Sequence, residues 1–184
     1  MPLSRAIATS LLAALVTAAF VQLGPAQAGQ GVAPPAVCFT PGEDCTGLII
    51  REIKAAQKSV LVQAYSFTSA PIARELAEAH RRGLDVEVIL DKSNRTERYS
   101  AADFIAHDGI PVRIDAEHRI AHNKVMVIDG ETVITGSFNF TRAAQLDNAE
   151  NVLVLHDPAI AARYAENWRR HWGHSEPYRG RDDH

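Results

Sequence analysis

The sequence has little of three things that would narrow its role at once. It has little net charge: 19 Lys and Arg stand against 22 Asp and Glu in 184 residues, a formal −3 at pH 7. A chain so balanced is no wholesale binder of polyanions, so any contact with nucleic acid must come from local patches. Arg81-Arg82, Arg95 with Arg98, and Arg163 with Arg169-Arg170 are the candidates. Cysteine is scarce too, with two residues, which alone do not make a metal site. There is also no internal repeat, no low-complexity segment and no helix-turn-helix or zinc-finger spacing, which argues against a sequence-reading module.

Long apolar runs are equally rare. The one example, residues 6–21, follows the lone charge of Arg5 and gives way to Gly24-Pro25 and then Ala26-Gln27-Ala28. A charged start, an apolar middle and a small-residue end make residues 1–28 read as a secretory signal peptide, too short in its apolar part for a spanning helix. Cleavage after Ala28 would leave a net charge of −4 and no stable membrane anchoring, and implies a periplasmic or secreted protein. In that oxidising setting Cys38 and Cys45 read as a disulfide stapling the Thr40-Pro41-Gly42 turn to the first helix.

What is present is an alternation of two periods. Residues 29–36 are Gly/Pro-rich and read as a linker or arm. Beyond them, apolar strand-like runs at 59–67, 84–90, 111–114, 124–128, 132–135 and 151–155 alternate with helical patterns at 46–57, 72–82, 101–107 and 158–172. Asp129-Gly130 is a strong hairpin signal, so part of the sheet is antiparallel. The expected fold is α/β, a mixed β-sheet sandwiched between helices, in one domain over 37–174 with a polar tail at 175–184. Pro158 and Gly173 read as the two ends of the last helix, with Trp168 and Trp172 as packing anchors.

The chemistry concentrates between residues 120 and 151. His122 and Lys124 are two apart at the start of a strand and emerge on one face, whereas Asp129 has the opposite parity and sits in the turn. Ser137 and Asn139 share a face beyond Gly136, whose lack of a side chain allows close approach, and Glu150 opens the next strand. A phosphodiester shields its phosphorus with negative oxygens, so a nucleophile must arrive with positive charge and hydrogen-bond donors. A neutral imidazole at His122 is a competent nucleophile, and Lys124 would neutralise a non-bridging oxygen. Asn139 and Ser137 would donate to that oxygen, and Glu150 would hold the second ring nitrogen of His122. No cofactor is called for.

His122-x-Lys124-x4-Asp129 followed by Gly136-Ser137-Phe138-Asn139 resembles the HKD motif of the phospholipase D superfamily. The run from Lys54 to Leu155, with the cysteine pair before it, is similar to the small single-motif bacterial endonuclease branch. The resemblance implies a phospholipase D-like fold, a phosphohistidine intermediate and a structural role for Asp129. It also implies a second motif histidine that protonates the leaving oxygen and then activates water. With one motif in this chain, that histidine comes from an identical subunit in a homodimer.

The expectation is therefore an exported, non-specific, metal-independent endonuclease on DNA, with RNA as a further substrate. A phospholipase D or phosphatidyl transferase acting on lipid is the alternative, and a non-catalytic nucleic-acid-binding protein is the third reading. No metal site is expected: His118 and His122 lack a third ligand, and His171 and His174 fall against the polar tail.

Overall fold

β2 (Ser59–Ala64) is the strand around which the sheet is built. Five of its six residues are buried, as an apolar run covered on both faces must be. The computed structural model describes residues 34–181; the signal-like segment 1–28, most of the 29–36 arm and the last three residues lie outside that range. β2 pairs in parallel with β3 (Asp85–Asp91), which pairs in parallel with β4 (Val112–Asp115). On its other side β2 pairs antiparallel with β5 (Lys124–Ile128), which turns back through Asp129-Gly130 into β6 (Thr132–Gly136). β7 (Glu150–His156) lies antiparallel beside β6, and β1 (Ala36–Thr40) and β8 (Glu176–Tyr178) form the edges. The order is β1-β7-β6-β5-β2-β3-β4-β8.

Helices cover both faces. α1 (Cys45–Ala55), α2 (Ala70–Arg81) and α3 (Ala102–His107) bury Ile49, Ile53, Ile72, Leu76 and Ile105 against Val60, Val62, Val88 and Met126. After the short α4 (Arg142–Leu146), α5 (Pro158–His174) covers the opposite face, where Ala161, Ala165 and Trp168 meet Leu61, Ile89, Val125, Val127 and Val133. The parity of each strand decides which helix layer its side chains meet. Trp168 donates its indole N–H to the Val62 carbonyl at 2.8 Å and stacks on Trp172, so both tryptophans anchor α5. The mixed α/β sandwich is as expected.

The edges differ from expectation. Ala36 begins β1 rather than ending a linker, and residues 176–178 of the supposed polar tail form β8. Both are short strands with little alternation of their own; pairing with β7 and β4 makes them strands. α5 runs through Gly173 to His174, and β2 stops at Ala64 rather than continuing to residue 67.

Cys38 in β1 and Cys45 at the start of α1 form the expected disulfide, with their Cα atoms 5.6 Å apart. It ties the edge strand to the first helix. Closing so short a loop restrains the unfolded chain by about 2–3 kcal/mol. Reduction with dithiothreitol is expected to lower stability by that amount in urea unfolding. An unchanged midpoint would mean that pairing with β7 alone holds β1.

Candidate active site

The register of β5 on β2 sets Lys124 opposite Ala64, and the pairing continues one step further as Tyr65 donates its N–H to the Asn123 carbonyl at 2.9 Å. Lys124 is 7 % exposed, and its ammonium donates to the His122 carbonyl at 2.9 Å. The Tyr65 ring neighbours both motif side chains. Its centroid is 4.7 Å from that of His122 and 5.2 Å from Lys124 Nζ. His122 is exposed, so an imidazole open to solvent sits beside a largely desolvated cation. Burial pushes the Lys124 ammonium below its ordinary pKa, and the negative charge of Glu150 offsets part of that.

Buried polar residues at the end of β3 position the loop that delivers His122. Asp91 is 3 % exposed and accepts the Ala121 N–H at 2.7 Å, one residue before the histidine. Asn94, fully buried, donates to the Tyr65 carbonyl at 2.6 Å. Sequence reasoning missed Tyr65, Asp91 and Asn94. The only signal was their place at the ends of two apolar runs, where loops carry function.

The second half of the site lies at the same edge of the sheet, where β6 ends and β7 begins. Gly136 has φ +150°, and a Cβ there would lie 2.2 Å from the Asn151 carbonyl oxygen, so the close approach does require glycine. Ser137 Oγ donates to Glu150 Oε2 at 2.6 Å and accepts the Asn151 N–H at 3.1 Å. Asn148 donates to Glu150 Oε1 at 3.0 Å. Both Glu150 oxygens are thus engaged, and no hydrogen bond joins them to His122, contrary to the expected pairing. The carboxylate instead orients Ser137 and sets the field at Lys124. Asn139 is half-buried, and its buried Oδ1 has no hydrogen-bond partner among the described residues. Its amide is therefore not committed on the oxygen side.

Asp129 lies at the far end of β5 in the left-handed region, φ 56°. Its carboxylate accepts the N–H groups of Gln57, Lys58 and Ser59 at 2.8, 2.7 and 2.9 Å, capping the start of β2. Burial alone would raise its pKa, but the bonds from Ser59, Gln57 and Lys58 outweigh that and hold it below the ordinary value. This is a structural position.

The two histidine pairs do not stay apart. His118, His171 and His174 converge on the buried Asp115 at the end of β4, a donor set able to hold a metal. His118 thus joins His171 and His174 rather than His122, and the expectation that His171 and His174 fall against a polar tail is corrected by the fold: β4, the loop after it and the end of α5 meet there.

A family model described as "Cardiolipin synthase, PLD-like domain" matches residues 49–172. A phospholipase D of Rickettsia conorii is 44 % identical over 131 residues, which cover 71 % of this chain and 66 % of the relative. A mitochondrial cardiolipin hydrolase of Canis lupus familiaris is 32 % identical over 156 residues, covering 83 % and 61 %. The chain thus spans just under two thirds of these relatives. A crystal structure of a phospholipase D family member, Nuc from Salmonella typhimurium, aligns with a TM-score of 0.76 at 38 % identity, covering 80 % of this chain and 100 % of that one.

The Asp129 cap makes a prediction about acid stability. Because its folded pKa is depressed, the stabilisation is complete above about pH 4 and is lost as pH falls through the folded value. Asp129→Asn is expected to cost about 2–3 kcal/mol at pH 7, from lost charge-assisted bonds, and to flatten the decline in stability below pH 4. Urea unfolding from pH 7 to pH 2 measures both. An acid limb as steep as the parent's would place the sensitivity elsewhere.

Proposed function

The chain belongs to the phospholipase D superfamily, and on that premise we propose that it is a phosphodiesterase with His122 as its nucleophile. One ring nitrogen of His122 attacks phosphorus while the bond to the leaving oxygen breaks, and a second imidazole gives that oxygen its proton. The phosphohistidine so formed is cleaved when the second imidazole takes a proton from water and the water oxygen attacks phosphorus, releasing His122. Lys124 holds charge on a non-bridging oxygen, with Asn139 as a further donor. Ser137 is the positioning partner of Glu150.

The observation that carries this reading is the exposed His122 ring packed on Tyr65 beside the buried Lys124. The described residues hold one such histidine, so the second imidazole is the same residue of an identical subunit. A two-fold pair is therefore part of the proposal.

The substrate we propose is nucleic acid, cut without sequence preference: DNA, with RNA as a further substrate. The loops after β3 and β4, at the His122 end of the sheet, expose Lys92, Arg98 and Arg119, a local basic lining in a chain of negative net charge, while Arg95 pairs with Glu176. Arg81 and Arg82 do not contribute, since Glu78, Asp108 and Glu75 pair with them. One observation favours lipid as the second reading: Ile120, two residues before His122, is 52 % exposed, as an interfacial contact would be.

Purified protein and His122→Ala, each assayed in EDTA on plasmid and on phosphatidylcholine vesicles, test the proposal. The parent is expected to cut plasmid and leave vesicles intact, with a rate on the order of 10³-fold or more above the variant. Cleavage that is lost in EDTA and restored by magnesium overturns the metal-independent mechanism, and vesicle hydrolysis without plasmid cleavage moves the substrate to lipid. Sedimentation as a monomer under active conditions removes the two-fold site.

A further inference from the structure

Three histidines and one carboxylate meet away from the motif, at the end of β4. Asp115 is fully buried and faces three imidazole nitrogens. His171 Nδ1 is 2.7 Å from Oδ2, His174 Nε2 is 3.2 Å from Oδ2, and His118 Nδ1 is 3.3 Å from Oδ1. The ring centroids form a near-equilateral triangle with sides of 5.0, 5.1 and 5.3 Å. The donor atoms all lie within 4.8 Å of one another. A tetrahedral ion with bonds of about 2.1 Å would hold its ligand atoms about 3.4 Å apart, so small rotations of the rings close the cage.

Two further features fit a metal better than a chance cluster. The other nitrogen of His174 is 3.3 Å from Glu117 Oε2, the outer carboxylate that orients metal-bound imidazoles and raises their basicity. The burial is also graded: Asp115 is inaccessible, the His171 and His174 side chains are 15 % and 27 % exposed, and His118 at 46 % opens the site to solvent as an entry path. Without an ion, the Asp115 carboxylate alone faces three imidazole nitrogens. A divalent cation instead uses all three lone pairs and the carboxylate together.

We propose that Asp115, His118, His171 and His174 bind one divalent transition-metal ion of the zinc class, which clamps the loop leading to His122 onto the end of α5. Three imidazoles and one carboxylate select a borderline ion such as zinc or cobalt over calcium or magnesium, which prefer all-oxygen sites. Four protein ligands leave no open position, so the ion is structural and takes no part in the phosphoryl transfer. The loop is already tied at two further points: Lys92 Nζ donates to the His118 carbonyl at 2.9 Å, and Ala121 donates to Asp91. The ion would add a third tie at the His118 side chain, four residues before the nucleophile.

The test uses untagged full-length protein stripped with chelator and dialysed. Zinc titrated in by calorimetry is expected to bind with one ion per chain, and cobalt is expected to give the intense visible bands of a tetrahedral site. Zinc at about 100 times its dissociation constant should raise the melting temperature by roughly 5–10 °C. The double variant His171→Ala/His174→Ala should lose the binding, the bands and the shift while keeping its far-ultraviolet circular dichroism. Should the double variant not fold, His118→Ala, at the exposed side, is expected to weaken zinc at least about tenfold. No binding by the parent, or binding unchanged in the variant that folds, overturns the site.

Discussion

The register of β5 against β2 is the constraint on which the site depends. Side chains alternate along a strand, so a slip of one residue would send Lys124 to the α5 face and exchange Met126 and Ile128 with Val125 and Val127 between the two helix layers. The Asp129 carboxylate guards against that slip. It grips the backbone of Gln57, Lys58 and Ser59 at the far end of the same strand pair, while its own N–H bonds the Ser59 carbonyl. A motif residue remote from the nucleophile thus fixes which face the lysine occupies. His122, Tyr65 and Gly136 all follow from that choice, since β6 and the end of β2 pair directly with β5.

Much of this was legible in the sequence, because it rests on local periodicity. The 124–128 and 132–135 strands with Asp129-Gly130 between them, the apolar run of β2 and the last helix all announce themselves within short windows. What was hidden depends on tertiary neighbours. β1 and β8 become strands only by pairing, and no local pattern marks three residues containing Pro177. Tyr65 reads as one more aromatic in a β-prone run until the β5 register sets His122 beside it. The Asp115 cluster is invisible for the same reason: its ligands come from a strand end, a loop and a distant helix, and no short-range spacing unites them.

Glu150 takes partners other than the one its position suggested. Its position at the mouth of β7 suggested a hand on the His122 ring, but Ser137 and Asn148 take both its oxygens. The geometry explains the preference. Gly136 lets β6 approach the Asn151 carbonyl closely, and that places the Ser137 hydroxyl against the carboxylate. The charge is still felt at Lys124, where burial and Glu150 act in opposite directions. In the proposed two-fold enzyme, the group that sets the His122 tautomer is then sought across the subunit boundary, where the second imidazole also arrives.

In-line attack at phosphorus depends on placement, and a misplacement of about 1 Å can cost two orders of magnitude in rate. His122 does not lie on a regular strand; it is the seventh residue of the eight-residue loop 116–123, a segment that elsewhere would be among the most mobile parts of a fold. The sheet supplies rigid ties at its end, through Asp91 and the Asn123 carbonyl, while the middle of the loop is held by one exposed contact, Lys92 to the His118 carbonyl. Asp115 and the three histidines add to that single tie. A metal there would give a loop-borne nucleophile the positional definition of a strand, while the reacting phosphate meets only His122, Lys124 and their neighbours. On this view a metal-independent reaction and a metal-stabilised fold are compatible in one chain, because the ion orders the path to the nucleophile and not the nucleophile itself.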